Sequence, residues 1–206
     1  MPAGRASSPV TMQRLKLGIL GSGKGSNFRA ILSEIQKGRL AADPVTVVSD
    51  VASAGILDLA REAGIPAHVI REPRFRTKLS PDVEADVVRI LQAAGVGLVV
   101  LAGYMRMVKS PLLEAFPRRV INIHPSLLPK FPGLEAWCQA LEAGEKSSGC
   151  TVHFVDGGMD TGEIIARAEV PVLPGDSAAA LHARIQVAEH ALYPEVIRRF
   201  AARELP

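Results

Sequence analysis

The stretch Leu15-Lys-Leu-Gly-Ile-Leu20-Gly-Ser-Gly-Lys-Gly25-Ser-Asn-Phe28 passes from a short apolar run through a glycine-rich turn into a helical pattern. Leu15–Leu20 is too short for a helix and apolar enough to be buried on both faces, as strands of a parallel sheet are. Phe28, Ile31, Leu32 and Ile35 then recur at i, i+3, i+4 and i+7, one face of a helix that Gly38 can close. The alternation continues. Strands are expected at Val45–Ser49, Ala67–Ile70, Gly97–Leu101, Val120–Ile123, Thr151–Val155 and Glu163–Val172. Further helices are expected at Ile56–Ala63, from Pro81 to Ala94 with Ser80 as its cap, at Pro111–Phe116, at Leu134–Ala143 and at Ser177–Phe200, the last bent near Pro194. This order implies an α/β fold, a mostly parallel twisted sheet with helices on both faces. Residues 71–80 are basic and aperiodic and read as a surface loop. Residues 1–14 follow neither period and are expected to be a disordered tail, with Met12 a candidate start. Residues 15–206 then form a single domain.

Hydrophobic residues make up 48% of the chain but aromatics only 4%, so the core must be built from Val, Leu, Ile and Ala. Lys and Arg number 24 against 21 Asp and Glu, and they are scattered rather than massed, which argues against a nucleic-acid partner. A small anionic substrate suits the same balance. Cys138 and Cys150 form no CxxC pair and suggest a reducing, cytoplasmic setting. The first residues lack the apolar core of a signal peptide, and no apolar stretch reaches spanning length, so no membrane is expected.

Gly21-Ser-Gly-Lys-Gly-Ser26-Asn27 lies where a strand gives way to a helix. Helix N-termini offer free N–H groups to anions, and glycines let the backbone approach a phosphate closely. The same glycines could simply make a tight turn. Gly18 to Lys24 nearly fits GxxxxGK, but Gly25 stands where Ser or Thr is required and Gly18 lies inside the strand. The dinucleotide pattern GxGxxG fails as well, since this is GxGxG. Asp50 ends the second strand where a ribose-binding acid would sit, so an NAD enzyme competes on the loop alone.

Asn122 and His124 are two apart in a strand, so their side chains leave the same face, at the carboxyl end where such folds place chemistry. An amide and an imidazole together can donate to one developing oxyanion. A strand-end histidine can equally be structural. Asp160, in the turn Asp156-Gly-Gly-Met-Asp-Thr-Gly162, is the natural acid to orient His124 and to raise its pKa, though a turn aspartate needs no such role. His68 and His153 sit in mid-strand and read as packing or hydrogen-bonding residues. No metal-ligand spacing is present, so no metal is expected.

Asn122-Ile-His-Pro-Ser-Leu-Leu-Pro129, followed by Lys130-Phe-Pro-Gly133, resembles the signature of the folate-dependent formyltransferases. Gly23–Asn27, Leu101-Ala-Gly-Tyr-Met-Arg106, Thr151-Val-His-Phe-Val155, Met159-Asp-Thr-Gly162 and Glu189-His-Ala-Leu-Tyr-Pro194 match the glycinamide ribonucleotide branch in order. The likeness runs from about Leu15 to the C-terminus and implies a single Rossmann-like formyltransferase domain. It implies that the phosphate is bound in the N-terminal half, and that the folate site and catalysis lie in the C-terminal half.

The resemblance also implies an activity: transfer of a formyl group from the cosubstrate 10-formyltetrahydrofolate to glycinamide ribonucleotide, in purine biosynthesis. Asn122, His124 and Asp160 match the catalytic trio. Gly25, Ser26 and Asn27 match the phosphate-holding loop, and Gln186 and Glu189 the contacts to ribose and glycinamide. Lys78, Met105, Arg106, Met107 and Val108, with Asn122 and Asp156, Gly157, Gly158, Met159 and Asp160, match the folate pocket. Lys78 replaces a frequent arginine and loses its bidentate fork, while Glu135 and Trp137 stand where many relatives carry histidine. The resemblance implies a cis Leu128–Pro129 bond, two small-molecule partners and a monomer or homodimer. A methionyl-tRNA formyltransferase would be expected to carry a further C-terminal domain, and a 10-formyltetrahydrofolate hydrolase an N-terminal regulatory one. A non-catalytic nucleotide sensor would have no need of the polar trio.

Overall fold

The computed structural model describes residues 14–72 and 74–206. The tail expected over residues 1–14 therefore lies outside the described residues, apart from Arg14, whose Nε reaches Asp43 Oδ1 at 2.7 Å. The chain forms β1 (Leu15–Leu20), α1 (Ser26–Gln36), β2 (Ala42–Ser49), α2 (Gly55–Glu62), β3 (Ala67–Val69), α3 (Pro81–Ala93) and β4 (Leu98–Leu101). There follow α4 (Ser110–Ala115), β5 (Val120–His124), α5 (Ala136–Glu142), β6 (Ser147–Phe154), β7 (Ile164–Pro171) and α6 (Ala178–Ala201).

The strands make one 7-stranded sheet in the order β3-β2-β1-β4-β5-β6-β7. All neighbouring pairs from β3 to β5 are parallel, and β6 runs antiparallel to both β5 and β7. The sheet is thus mostly parallel, as the alternation implied. Strand order reverses between β1 and β4, and such a reversal opens a crevice at the carboxyl ends of the strands.

Each face of the sheet carries its own core. On one, Leu17, Ile19, Val47 and Val100 pack against Phe28 and Ile31 of α1, Ile56 and Leu57 of α2, and Leu181, Ile185 and Val196 of α6. On the other, Leu20, Val48 and Val99 meet Val87 and Leu91 of α3 and Leu112 of α4. Both are almost wholly aliphatic. The buried Tyr193 hydroxyl, 2.9 Å from the Leu101 carbonyl and 3.1 Å from that of Ile121, pins α6 across β4 and β5. Gly18 is required where α3 crosses, because a Cβ there would lie 2.5 Å from Leu91 Cδ2.

Several boundaries shift from the sequence pattern for local reasons. α5 begins at Ala136, not Leu134, because Glu135 holds a left-handed backbone (φ 53°). β2 begins at Ala42 and β6 at Ser147, since ladder pairing with β1 and β7 extends strands into residues whose composition looks like loop. α6 runs through Pro194 as one helix. Ser80 occupies the cap position of α3, but its hydroxyl donates to Glu72 instead of capping the helix.

Candidate active site

β5 delivers Asn122 and His124 to the carboxyl edge of the sheet, and the turn after β6 brings Asp160 back over them. Asp160 adopts a left-handed backbone (φ 55°) that Asp tolerates better than most residues. Its Oδ2 accepts from the Gly133 amide at 2.9 Å and lies 3.3 Å from His124 Nδ1. His124 Nε2 donates to the Phe131 carbonyl at 2.8 Å. The Leu128–Pro129 bond in the intervening turn is cis.

The electrostatics correct one expectation. His124 is 5% exposed, and burial holds its pKa below the ordinary histidine value; Asp160 and the Phe131 carbonyl pull it upward without overcoming that effect. The free protein therefore keeps the ring neutral at neutral pH. Burial also opposes charge on Asp160, but His153, the His124 ring and the Gly133 amide outweigh it and keep the carboxyl low. A neutral imidazole between two acceptors satisfies only one of them, so negative charge arriving nearby draws a proton onto the ring.

His153, buried in β6, is the hydrogen-bonding strand residue that the sequence suggests, and its partners tie it to the site. It pairs with Asn122 across the antiparallel β5–β6 ladder. Its Nδ1 donates to the Phe154 carbonyl at 2.8 Å, which leaves Nε2 to accept from Asn122 Nδ2 at 3.2 Å. The same Nε2 lies 3.7 Å from Asp160 Oδ1. Asn122 is thus held in one orientation with its second N–H free. Only the strand register carries this relation.

Gly25 precedes α1 with φ 78°, and a Cβ on it would sit 3.0 Å from Ile56. No side chain caps α1, and the N–H groups of a helix's first turn have no partner within the helix. Ser26 begins the helix, and Asn27, 8% exposed, donates from Nδ2 to Glu189 Oε2 at 3.0 Å. Burial raises the Glu189 pKa to about 7, against the opposing hydrogen bond from Asn27. Gln186 stands one turn earlier on α6, beside His182.

On the other flank, Asp50 accepts from Ser22 Oγ at 2.6 Å and from Arg106 Nε at 2.7 Å. Its carboxylate is therefore occupied and is not free for a dinucleotide ribose. Arg106 is likewise committed, to Asp50 and to the Phe75 carbonyl. Lys78 bridges to Met107 through the backbone, with its Nζ 4.6 Å above the Phe75 ring. Val108 packs into the core on the α3 side. Met105 and Met159 are 59% and 53% exposed, apolar thioethers left open to a ligand. Asp156 accepts from Gly158 N at 3.0 Å and Thr161 Oγ1 at 2.7 Å, so it shapes the Asp156–Asp160 turn rather than facing His124. The backbone of that turn is tied down by Lys109 Nζ, 2.7 Å from the Gly157 carbonyl.

Among the described residues no group of His, Cys, Asp and Glu is placed to hold a metal ion, and no helix is long and apolar enough to cross a membrane. Burial pushes the Cys150 thiol up to about 12, so it is a packing residue.

His124 and Asp160 thus meet at the carboxyl end of β5, and the start of α1 carries no side-chain cap. Residues 15–197 match the formyl transferase family, and the chain belongs to it. Within that family it is 39% identical to the phosphoribosylglycinamide formyltransferase of Bacillus subtilis, over 89% of this chain and 93% of that one. The glycinamide ribonucleotide transformylase 1 of Symbiobacterium toebii superposes with a TM-score of 0.88 at 47% identity, covering 97% of this chain and 93% of that one. The chain is also 44% identical to the trifunctional purine biosynthetic protein adenosine-3 of Drosophila pseudoobscura pseudoobscura, but spans only 15% of that protein's length. A formyltetrahydrofolate deformylase from Pseudomonas syringae shares the fold (TM-score 0.84) at 25% identity, over 93% of this chain and 62% of that one.

Proposed function

We propose that this chain transfers the formyl group of 10-formyltetrahydrofolate to the amine of glycinamide ribonucleotide, in de novo purine biosynthesis. One observation carries the reading: Asn122, His124 and Asp160 gather at the end of β5, two strands from the Gly21–Asn27 loop that follows β1. Strands lie about 4.8 Å apart, so roughly 10 Å separates the loop from the trio, a span that a phosphorylated ribose with a glycinamide arm can bridge.

Gly25, Ser26 and Asn27 take the phosphate, with Gln186 and Glu189 along the ribose and glycinamide. Lys78, Met105 to Val108, and Asp156 to Asp160 flank the folate. Val108 contributes through its backbone, and Arg106 mainly by holding its loop to Asp50. The glycinamide amine attacks the formyl carbon, forming a C–N bond and placing the electron pair of the carbonyl on oxygen. Asn122 donates its free N–H to that oxygen. His124 becomes charged as the oxyanion forms, with Asp160 facing Nδ1 and the Phe131 carbonyl on Nε2, and stabilises it through its positive charge. A donor such as Asn122 is worth about 2.7–4 kcal/mol in the transition state. Collapse breaks the bond to the folate nitrogen, which receives the proton lost by the amine, relayed through His124, Asp160 and water.

The Met105 and Met159 side chains are the apolar surface that a folate ring would cover. The two partners are small molecules, and no metal, nucleic acid or membrane enters the reaction. We place the enzyme in the cytoplasm as a monomer or homodimer. The test is isotopic: with 13C-formyl donor, the label should appear on the glycinamide nitrogen of the ribonucleotide. Label recovered only as formate would make the chain a hydrolase.

A further inference from the structure

Trp137, the one tryptophan of the chain, lies on α5 with its ring stacked on His182 of α6, centroids 3.7 Å apart and planes within 2°. His182 and Gln186 are one turn apart on the same face of α6, with His182 Nε2 3.4 Å from Gln186 Nε2. Glu189 continues that face and meets Asn27 of α1 at 3.0 Å. A track of side chains therefore runs from α5 across α6 to the glycine loop. Its first member is not a residue that the catalytic scheme uses.

The direction of the His182–Gln186 contact matters. With the amide nitrogen turned toward the ring, the imidazole can only accept, and the Gln186 carbonyl oxygen is turned away from the ring. Burial lowers the His182 pKa and favours the neutral, accepting ring. Left alone, a half-buried histidine and a glutamine four residues on would sample several rotamers each. The flat indole removes that freedom from His182, and His182 removes it from Gln186.

We propose that Trp137 is a positioning residue for the acceptor substrate: stacked on His182, it fixes the Gln186 amide so that its carbonyl oxygen meets a hydroxyl or amide N–H of the ribonucleotide. This rests on Gln186 lining the ribonucleotide site. It makes Trp137 a determinant of acceptor affinity that acts through His182 and Gln186. α5 also follows directly on the turn that holds Gly133 against Asp160, so one short helix ties the acid to the acceptor-binding face.

Two readouts test the proposal. In the free protein, the Gln186 side-chain amide should give NMR signals displaced from those of a mobile glutamine. They should collapse toward mobile values in Trp137→Ala and Trp137→Leu and be retained in Trp137→Phe, which keeps a flat ring. In turnover, Trp137→Leu should raise KM for glycinamide ribonucleotide roughly three- to tenfold, the scale of one aromatic pair, with kcat and the folate KM unchanged and Trp137→Phe near normal. Trp137→Leu keeps most of the apolar volume and carries the test if Trp137→Ala does not fold. Gln186 signals unaltered in Trp137→Leu would overturn the proposal. So would equal loss in both KM values and kcat, which marks a merely structural residue. If the wild-type chain transfers no formyl group to glycinamide ribonucleotide, the functional reading fails, and the amide signals still decide the positioning of Gln186.

Discussion

Asn27 and Glu189, 162 positions apart in sequence, share a buried hydrogen bond of 3.0 Å that joins the first helix to the last. Burial raises the Glu189 pKa to about 7, so folding across that carboxyl is linked to pH. A raised carboxyl binds its proton more tightly in the native state than in the unfolded one. Its charging therefore costs stability as pH rises from the unfolded value, about 4.5, through about 7. Glu189→Gln cannot charge. Its stability relative to the wild-type chain should grow between pH 4.5 and 8 by up to roughly 3 kcal/mol, measured by urea unfolding at both ends. A difference that stays flat with pH would mean that Glu189 ionises freely in the folded protein.

Asp160→Asn should lower the His124 pKa further, because it removes the charge that opposes burial. Because the neutral ring is the form that takes up the proton, His124 contributes an acid limb to the rate profile; that limb should move to lower pH, and turnover should fall sharply with loss of the proton relay. Titrating His124 by NMR in both proteins checks this directly. An unchanged value would show that Asp160 does not tune the ring.

Asn122→Ala should fold normally and lose about two to three decades in turnover, the effect of removing one oxyanion donor. Substrate affinities should change much less. Near-normal turnover would make Asn122 a strand residue whose amide serves only His153.

Gly25→Ala forces a Cβ into a left-handed position 3.0 Å from Ile56, which should cost about 1–2 kcal/mol of stability and disturb the start of α1. Calorimetry should show weaker binding of glycinamide ribonucleotide and unchanged binding of folate. For the wild-type chain, an acceptor lacking its 5′-phosphate should bind far more weakly. Equal affinity for the two acceptors would remove the phosphate role of the loop.

The period of the apolar residues made the elements of the sheet legible, because strands buried on both faces and helices buried on one leave different spacings. Asn122 and His124 were legible as a pair because strand alternation alone puts them on one face. What stayed hidden depends on distances through space. The antiparallel register that sets His153 opposite Asn122 has no trace in spacing, nor has the ion pair that occupies Asp50 with Arg106. The direction of the His124 shift was also out of reach, since it turns on how deeply the ring is buried as well as on the charge beside it.

The most direct measurement follows tetrahydrofolate release from 10-formyltetrahydrofolate with water alone, with glycinamide ribonucleotide, and with its dephosphorylated form. Release should depend on glycinamide ribonucleotide, match formylated product one for one, and nearly vanish with the other two. Release at the same rate with water alone would contradict the account and make the chain a deformylase.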